Sequence, residues 1–173
     1  MTQSPGSRIT TVALMAALAL IFSWIEVLFP FNVGVPGVKL GIANLVIIIA
    51  LYCFGPRYAI TINLVRILLA GLLFNGLFGA CYALSGALVS FIVMWALKKT
   101  DVFSIVGVSI AGGVTHNFGQ ILLAAVLVET PAIFTYFPVL IFSGVASGVV
   151  IGIVATLIIR RLPANLKPAY IKS

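Results

Sequence analysis

Long apolar runs, broken only briefly by polar residues, recur along the whole chain. The stretches TVALMAALALIFSWI (11–25) and GVASGVVIGIVATLII (144–159) are apolar on every helical face, whereas a barrel strand would alternate between apolar and polar positions. Windows of about 20 apolar residues suit a helix crossing a hydrocarbon core of roughly 30 Å, with every backbone group bonded within the segment. The pattern predicts an all-α membrane protein with six transmembrane helices, roughly 9–29, 40–54, 57–73, 77–97, 103–128 and 134–159. They form a single integral membrane domain over residues 1–173, with short loops. Arg8 followed by an apolar run and Ala17-Leu18-Ala19 imitates a secretory signal, but the run continues to Ile25, longer than a signal core. No internal repeat is apparent, which disfavours an inverted-repeat transporter.

One interruption is unlike the others. FPFNVGVPGVKLGIANL (29–45) carries two prolines, glycines, a lysine and two asparagines. Pro30 and Pro36 restrict helix formation, Gly34 and Gly37 permit tight turns, and Gly41 lets the chain bend into the next helix. The expectation is a compact loop that folds over a cavity as a lid; an interfacial connector with Lys39 on lipid phosphate is the simpler alternative.

Composition strengthens the membrane reading. The chain is 62% hydrophobic and 8% charged, far from the quarter-charged norm of soluble domains. Assigned to the expected loops, Arg8, Arg57, Lys98, Lys99, Arg160, Arg161, Lys167 and Lys172 fall on one side, Lys39 alone on the other, and Arg66 inside a span. The positive-inside rule then places both termini in the cytoplasm and the protein in the cell membrane. The net charge of +7 is thereby explained by contact with anionic lipid headgroups, not by nucleic acid. Cys53 and Cys81 lie in different spans without metal-ligand spacing.

Small-residue stripes predict how the helices pack. Gly144, Gly148 and Gly152 recur on span 6; Gly79, Ala83 and Ala87 on span 4; Gly107, Ala111, Thr115 and Gly119 on span 5. Ala13 and Ala17 form a similar stripe on the first, peripheral span, where a partner membrane protein has room to dock; packing within the chain is the alternative.

The candidate site residues are the polar groups that lipid would not tolerate. Arg66 lies nine residues beyond Arg57, about 13 Å into the membrane, and Asn63 is one turn away on the same face. His116 and Gln120 share a face of span 5 beside Asn117; Asn44 and Glu26 lie near the outer ends of spans 2 and 1. Arg66 and Lys39 are expected to neutralise an anionic group, with Asn44, Asn63, His116, Asn117 and Gln120 supplying hydrogen bonds. Trp24, Phe31, Phe74, Phe78 and Tyr82 are placed to pack an apolar or planar part, a role shared with interfacial belts. For His116 an interhelical hydrogen bond is an equal alternative, and one histidine makes no metal site.

VPGVKLGIANLV, INLVRILLAGLL and THNFGQ together resemble the family described as heptaprenyl diphosphate synthase component I, also called the Gx transporter family, over roughly residues 8–160. That family is similar in turn to the substrate-binding S subunits of energy-coupling factor (ECF) transporters. The resemblance implies six helices, an outward pocket closed by the first loop (here 30–39), and an alanine motif, here Ala13 and Ala17, that meets a coupling subunit associated with ATPases.

Two functions are therefore carried forward. The first is a substrate-binding subunit of an ATP-driven importer for a small, anionic vitamin, flavin or isoprenoid-like precursor. The second is a non-catalytic membrane scaffold or accessory subunit of a prenyl diphosphate synthase. Catalysis by the chain itself is not expected: Asp101 is the sole aspartate, so no aspartate-rich magnesium cluster can form, and there is no phosphate-binding Gly-x-x-x-x-Gly-Lys loop. No cofactor is called for.

Overall fold

The computed structural model describes residues 5–28, 41–163 and 166. Among the described residues six α-helices follow one another: α1 (Pro5–Leu28), α2 (Ile42–Cys53), α3 (Pro56–Ala70), α4 (Gly76–Lys99), α5 (Ile105–Val128) and α6 (Phe137–Arg161). A π-helical turn, Gly71–Asn75, extends α3, and a 3-10 turn, Pro131–Tyr136, leads into α6. The described residues contain no strand. The expected lid at 30–39, with Lys39, lies outside the described residues, as does Phe31.

Among the described residues four apolar segments are long enough to cross a membrane: Ile9–Leu28, Pro56–Lys99, Ile105–Val128 and Ala132–Arg161. This is a membrane protein with transmembrane helices. The second segment turns at Gly76 (φ 69°), where α3 with its π-helical extension gives way to α4. A Cβ on Gly71 would lie 2.6 Å from that of Ala80, so the two arms pack side by side next to the turn.

The span expected at 40–54 is a shorter element. α2 has 12 residues, about 18 Å of helix, less than a bilayer core of roughly 30 Å. It is also the most enclosed helix, with Ala43 and every residue from Val46 to Tyr52 buried. A helix apolar on all sides belongs inside a bundle. Ile47, Ile48 and Leu51 meet Ile62 of α3, Phe91 and Met94 of α4, Val108 of α5 and Ile159 of α6 in one apolar core. Gly41, at φ 70°, adopts the left-handed turn needed to start α2, and a Cβ there would sit 3.4 Å from Ile151 Cδ1, halfway along α6. α2 therefore begins in the middle of the bundle and runs to one end.

That end collects basic residues. Lys98, in the last turn of α4, donates from Nζ to the carbonyl of Leu51 and lies 5.1 Å from the centre of the Tyr52 ring. The charge thus closes the carboxyl end of α2, where the helix dipole favours a cation. Arg57 opens α3 beside the first turns of α1, and Arg160 and Arg161 close α6.

α5 and α6 form the tightest helix pair. Cβ atoms on Gly144, Gly148 and Gly152 would lie 2.8, 2.5 and 2.7 Å from Val114 N, Ile110 Cα and Val106 Cα, so the expected stripe on α6 is a close-packing seam. On α5 the tight positions are Gly112 and Gly119 against α4 and Gly113 against Gly144. Of the two glycines in the expected α5 stripe, Gly119 is among them and Gly107 is not. Gly107 would place its Cβ no nearer than 3.6 Å to a neighbour.

Candidate functional site

The end of the bundle opposite the basic residues is not filled by apolar side chains. A cavity of about 80 Å³ lies there, room for a few waters or a small polar group. All six helices line it: Ser23 and Glu26 from α1, Asn44 from α2, Arg66 from α3, Ala83 from α4, Gln120 and its neighbours from α5, and Ser147 from α6.

Arg66 is the most constrained member. Only 8% of it is exposed. Its Nη2 donates to Asn63 Oδ1 at 2.6 Å, one turn back on the same helix, and its Nη1 donates to Ser23 Oγ at 3.2 Å. Its Nε is buried and has no partner among the described residues. Both partners are neutral. A buried guanidinium keeps its charge, so neutral hydrogen bonds orient it without cancelling that charge. Glu26 is the acid near enough to act on it electrostatically. The carboxylate Oε1 accepts from the backbone N–H of Ile42 at 2.8 Å, which fixes the last turn of α1 against the first turn of α2.

α5 supplies the opposite wall. Its Gly86-facing side brings His116 and Gln120 against α4: a Cβ on Gly86 would meet Gln120 Cγ at 2.8 Å and His116 Cε1 at 3.0 Å. Close approach at this glycine is what lets both side chains line the cavity. Asn117 Nδ2 donates to the carbonyl of Leu140 at 2.7 Å, tying α5 to α6 while the residue still borders the cavity. Gln120 is 5% exposed and has no hydrogen bond to another described residue, although it lines the space.

Asn44, Arg66, His116, Asn117 and Gln120 are thus brought together, with Asn63 behind Arg66 as its acceptor; Lys39 lies outside the described residues. Sequence reasoning placed Glu26 in the polar set near the outer ends of the spans but gave it no binding role, and it did not name Ser23, Asn75 or Ser147. Glu26 had a usable signal, an acid in an apolar run. The serines had none, because a helical serine bonds its own backbone: Ser23 Oγ donates to Ala19 O, and Ser147 Oγ to Gly144 O. The expected aromatic contribution is not found among the described residues. Trp24 and Phe78 are 51% and 70% exposed on the outside of the bundle, and neither Phe74 nor Tyr82 lines the cavity.

Ala13 and Ala17 are both exposed, while Ala16 and Ala19 face inward. Ala13 borders an apolar groove between α1 and α3 with Val12, Ala16, Tyr58 and Val65.

The family model for heptaprenyl diphosphate synthase component I matches residues 15–158. The chain belongs to this family. The family match runs from α1 to α6 and contains every described residue that lines the cavity. No curated protein and no solved structure matches the chain.

Proposed function

We propose that the protein is a substrate-binding subunit that takes a small polar solute with an anionic group from outside the cell and passes it to a separate ATP-driven module. The observation carrying this reading is Arg66: a buried cation with neutral hydrogen-bond partners, at the wall of a cavity to which every helix contributes. A permanent charge kept in the interior of a membrane protein has a functional role by default. The cavity lies away from the basic end, so under the positive-inside rule it opens outward, with both termini cytoplasmic. In this reading the chain makes six passes, with α2 the second of them, running toward the basic end. Exposed Ala13 and Ala17 supply the docking face for a coupling subunit of the ECF type. Among vitamin-like precursors, the cavity wall favours a hydrogen-bonding solute over a flavin or an isoprenoid, since no described Phe, Tyr or Trp lines it.

A second reading follows from the family description, in which the word component implies another component. In it the protein is a non-catalytic membrane scaffold for a soluble prenyl diphosphate synthase. Native mass spectrometry of gently extracted protein separates the two. Solute binding is expected to show one water-soluble small molecule per chain, released on unfolding. A bare chain that instead binds the synthase through its cytoplasmic loops would support the scaffold.

A further inference from the structure

The apolar groove between α1 and α3 lies at the basic end of the bundle, away from the polar cavity, and is much the larger of the two, about 510 Å³ against about 80 Å³. Ile9 and Thr61 are exposed, Val12 and Val65 half-buried and Ala16 buried, so the groove has rims, walls and a floor. The Thr61 hydroxyl donates to the Arg57 carbonyl at 2.9 Å, which leaves the groove no free side-chain donor there. From Arg57 to Val65 is about 12 Å along α3, and Ile9 to Ala16 covers a similar depth on α1. The groove therefore suits a chain lying along the helices.

Its mouth is cationic. Arg57 is exposed, and its guanidinium makes no ion pair or hydrogen bond with a described residue. The chain has three acids to offer, Glu26, Asp101 and Glu129. Glu26 is engaged at the cavity end, Glu129 closes α5, and Asp101 lies in the turn after α4. No side chain caps the first turn of α3, where the unpaired N–H groups add to the positive potential. Arg8 stands in the first turn of α1, one residue before Ile9.

These two features select the occupant together. Water is a poor filler for apolar walls. A free anion would meet Arg57 and leave the groove empty, while a neutral hydrocarbon would fill the groove and leave the cation unanswered. An anionic amphiphile satisfies both, and a basic pocket between membrane helices at the basic end is where anionic headgroups gather. We propose that the groove is a specific site for an anionic phospholipid of the adjoining leaflet. Its phosphate sits at Arg57 and the first turn of α3, and one acyl chain runs along the groove toward Ala16 and Val65. Ala17 does not line the groove, so the lipid borders the proposed docking face at Ala13 without covering it. The site stands independently of the solute-binding reading.

The test uses the full-length protein in detergent with phosphatidylglycerol that carries a photoactivatable group on one acyl chain. Cross-links are located by peptide mass spectrometry, and unlabelled phosphatidylglycerol or phosphatidylcholine with the same chains competes for them. The label is expected on residues 9–16 and 58–65, with phosphatidylglycerol competing about fivefold better than phosphatidylcholine, the increment of one basic residue near the surface. Arg57→Gln should make the two competitors equal, and Arg57→Lys should keep the preference. Thr61→Phe, a bulky side chain at an exposed groove position, should cut the groove label at least fivefold with the thermal midpoint unchanged. Equal competition in the parent, label spread evenly over all helices, or a groove label indifferent to Arg57→Gln and Thr61→Phe overturns the lipid site. A groove label that is absent from a parent dimer, and appears only when Thr61→Phe breaks that dimer, assigns the groove to a second copy of the chain and overturns it as well.

Discussion

Arg66 and Lys98 show two ways a helical membrane bundle handles a long basic side chain. Lys98 sits in the last turn of α4 and spends its charge on structure, capping Leu51 and covering the Tyr52 ring. Lys98→Met keeps the apolar stem but removes both contacts, so it is expected to lower stability by about 1–2 kcal/mol. A thermal unfolding scan of the detergent-solubilised protein should show a lower midpoint with solute occupancy unchanged; an unchanged midpoint would mean the cap is ornamental. Arg66 has no such use at a helix end. Its partnership with Asn63 was legible in the sequence because residues three apart share a helical face. Its bond to Ser23 was not, since a serine back-bonded to its own helix is indistinguishable from a filler in an apolar run.

Among the helices, the α5–α6 seam and α2 carry most of the architecture. The seam allows a test by sign. A methyl group at Gly148 would press on the α5 backbone at Ile110 Cα, 2.5 Å away, whereas one at Gly107 has ordinary van der Waals space. Gly148→Ala is expected to destabilise by about 1–3 kcal/mol through overpacking. Gly107→Ala is expected to be neutral or stabilising by up to about 1 kcal/mol, since alanine is the better helix former. Equal midpoints in thermal unfolding would dissolve the seam. On α1, replacing both Ala13 and Ala17 with Leu should abolish uptake in cells while the purified protein retains its solute within about twofold, because both residues are exposed and neither lines the cavity. Joint loss of uptake and occupancy would make the stripe part of the fold. The existence of α1 and α3 to α6 was legible because their apolar runs are long. The true length of α2 was not. Its apolar character comes from burial within protein, and hydropathy alone cannot distinguish that from lipid contact.

At the scale of the whole molecule, the bundle is divided into a packed basic end and a polar cavity end. The proposed orientation rests on that division. In a background lacking Cys53 and Cys81, an impermeant thiol reagent applied to intact cells should label Asn32→Cys and spare Thr100→Cys. The reverse pattern would turn the cavity inward and remove the uptake reading. How the helices converge could be foreseen only in part: intramembrane polar residues point inward as a rule, but which of them meet depends on close approaches such as Gly86 on His116 and Gln120, and on Asn75 at the end of a π-helical turn. The aromatic residues show the limit of that reasoning, since Trp24 and Phe78 lie on the bundle's outer surface. The claim that unites these features is that Arg66 holds the solute's anionic group. Calorimetric titration of the released solute into detergent-purified parent, Arg66→Gln and Arg66→Lys tests it most directly. Arg66→Gln is expected to weaken binding by about 2–5 kcal/mol, and Arg66→Lys to recover part of that loss, because a lysine restores the charge without the planar guanidinium. A folded Arg66→Gln protein that binds as tightly as the parent would contradict the account.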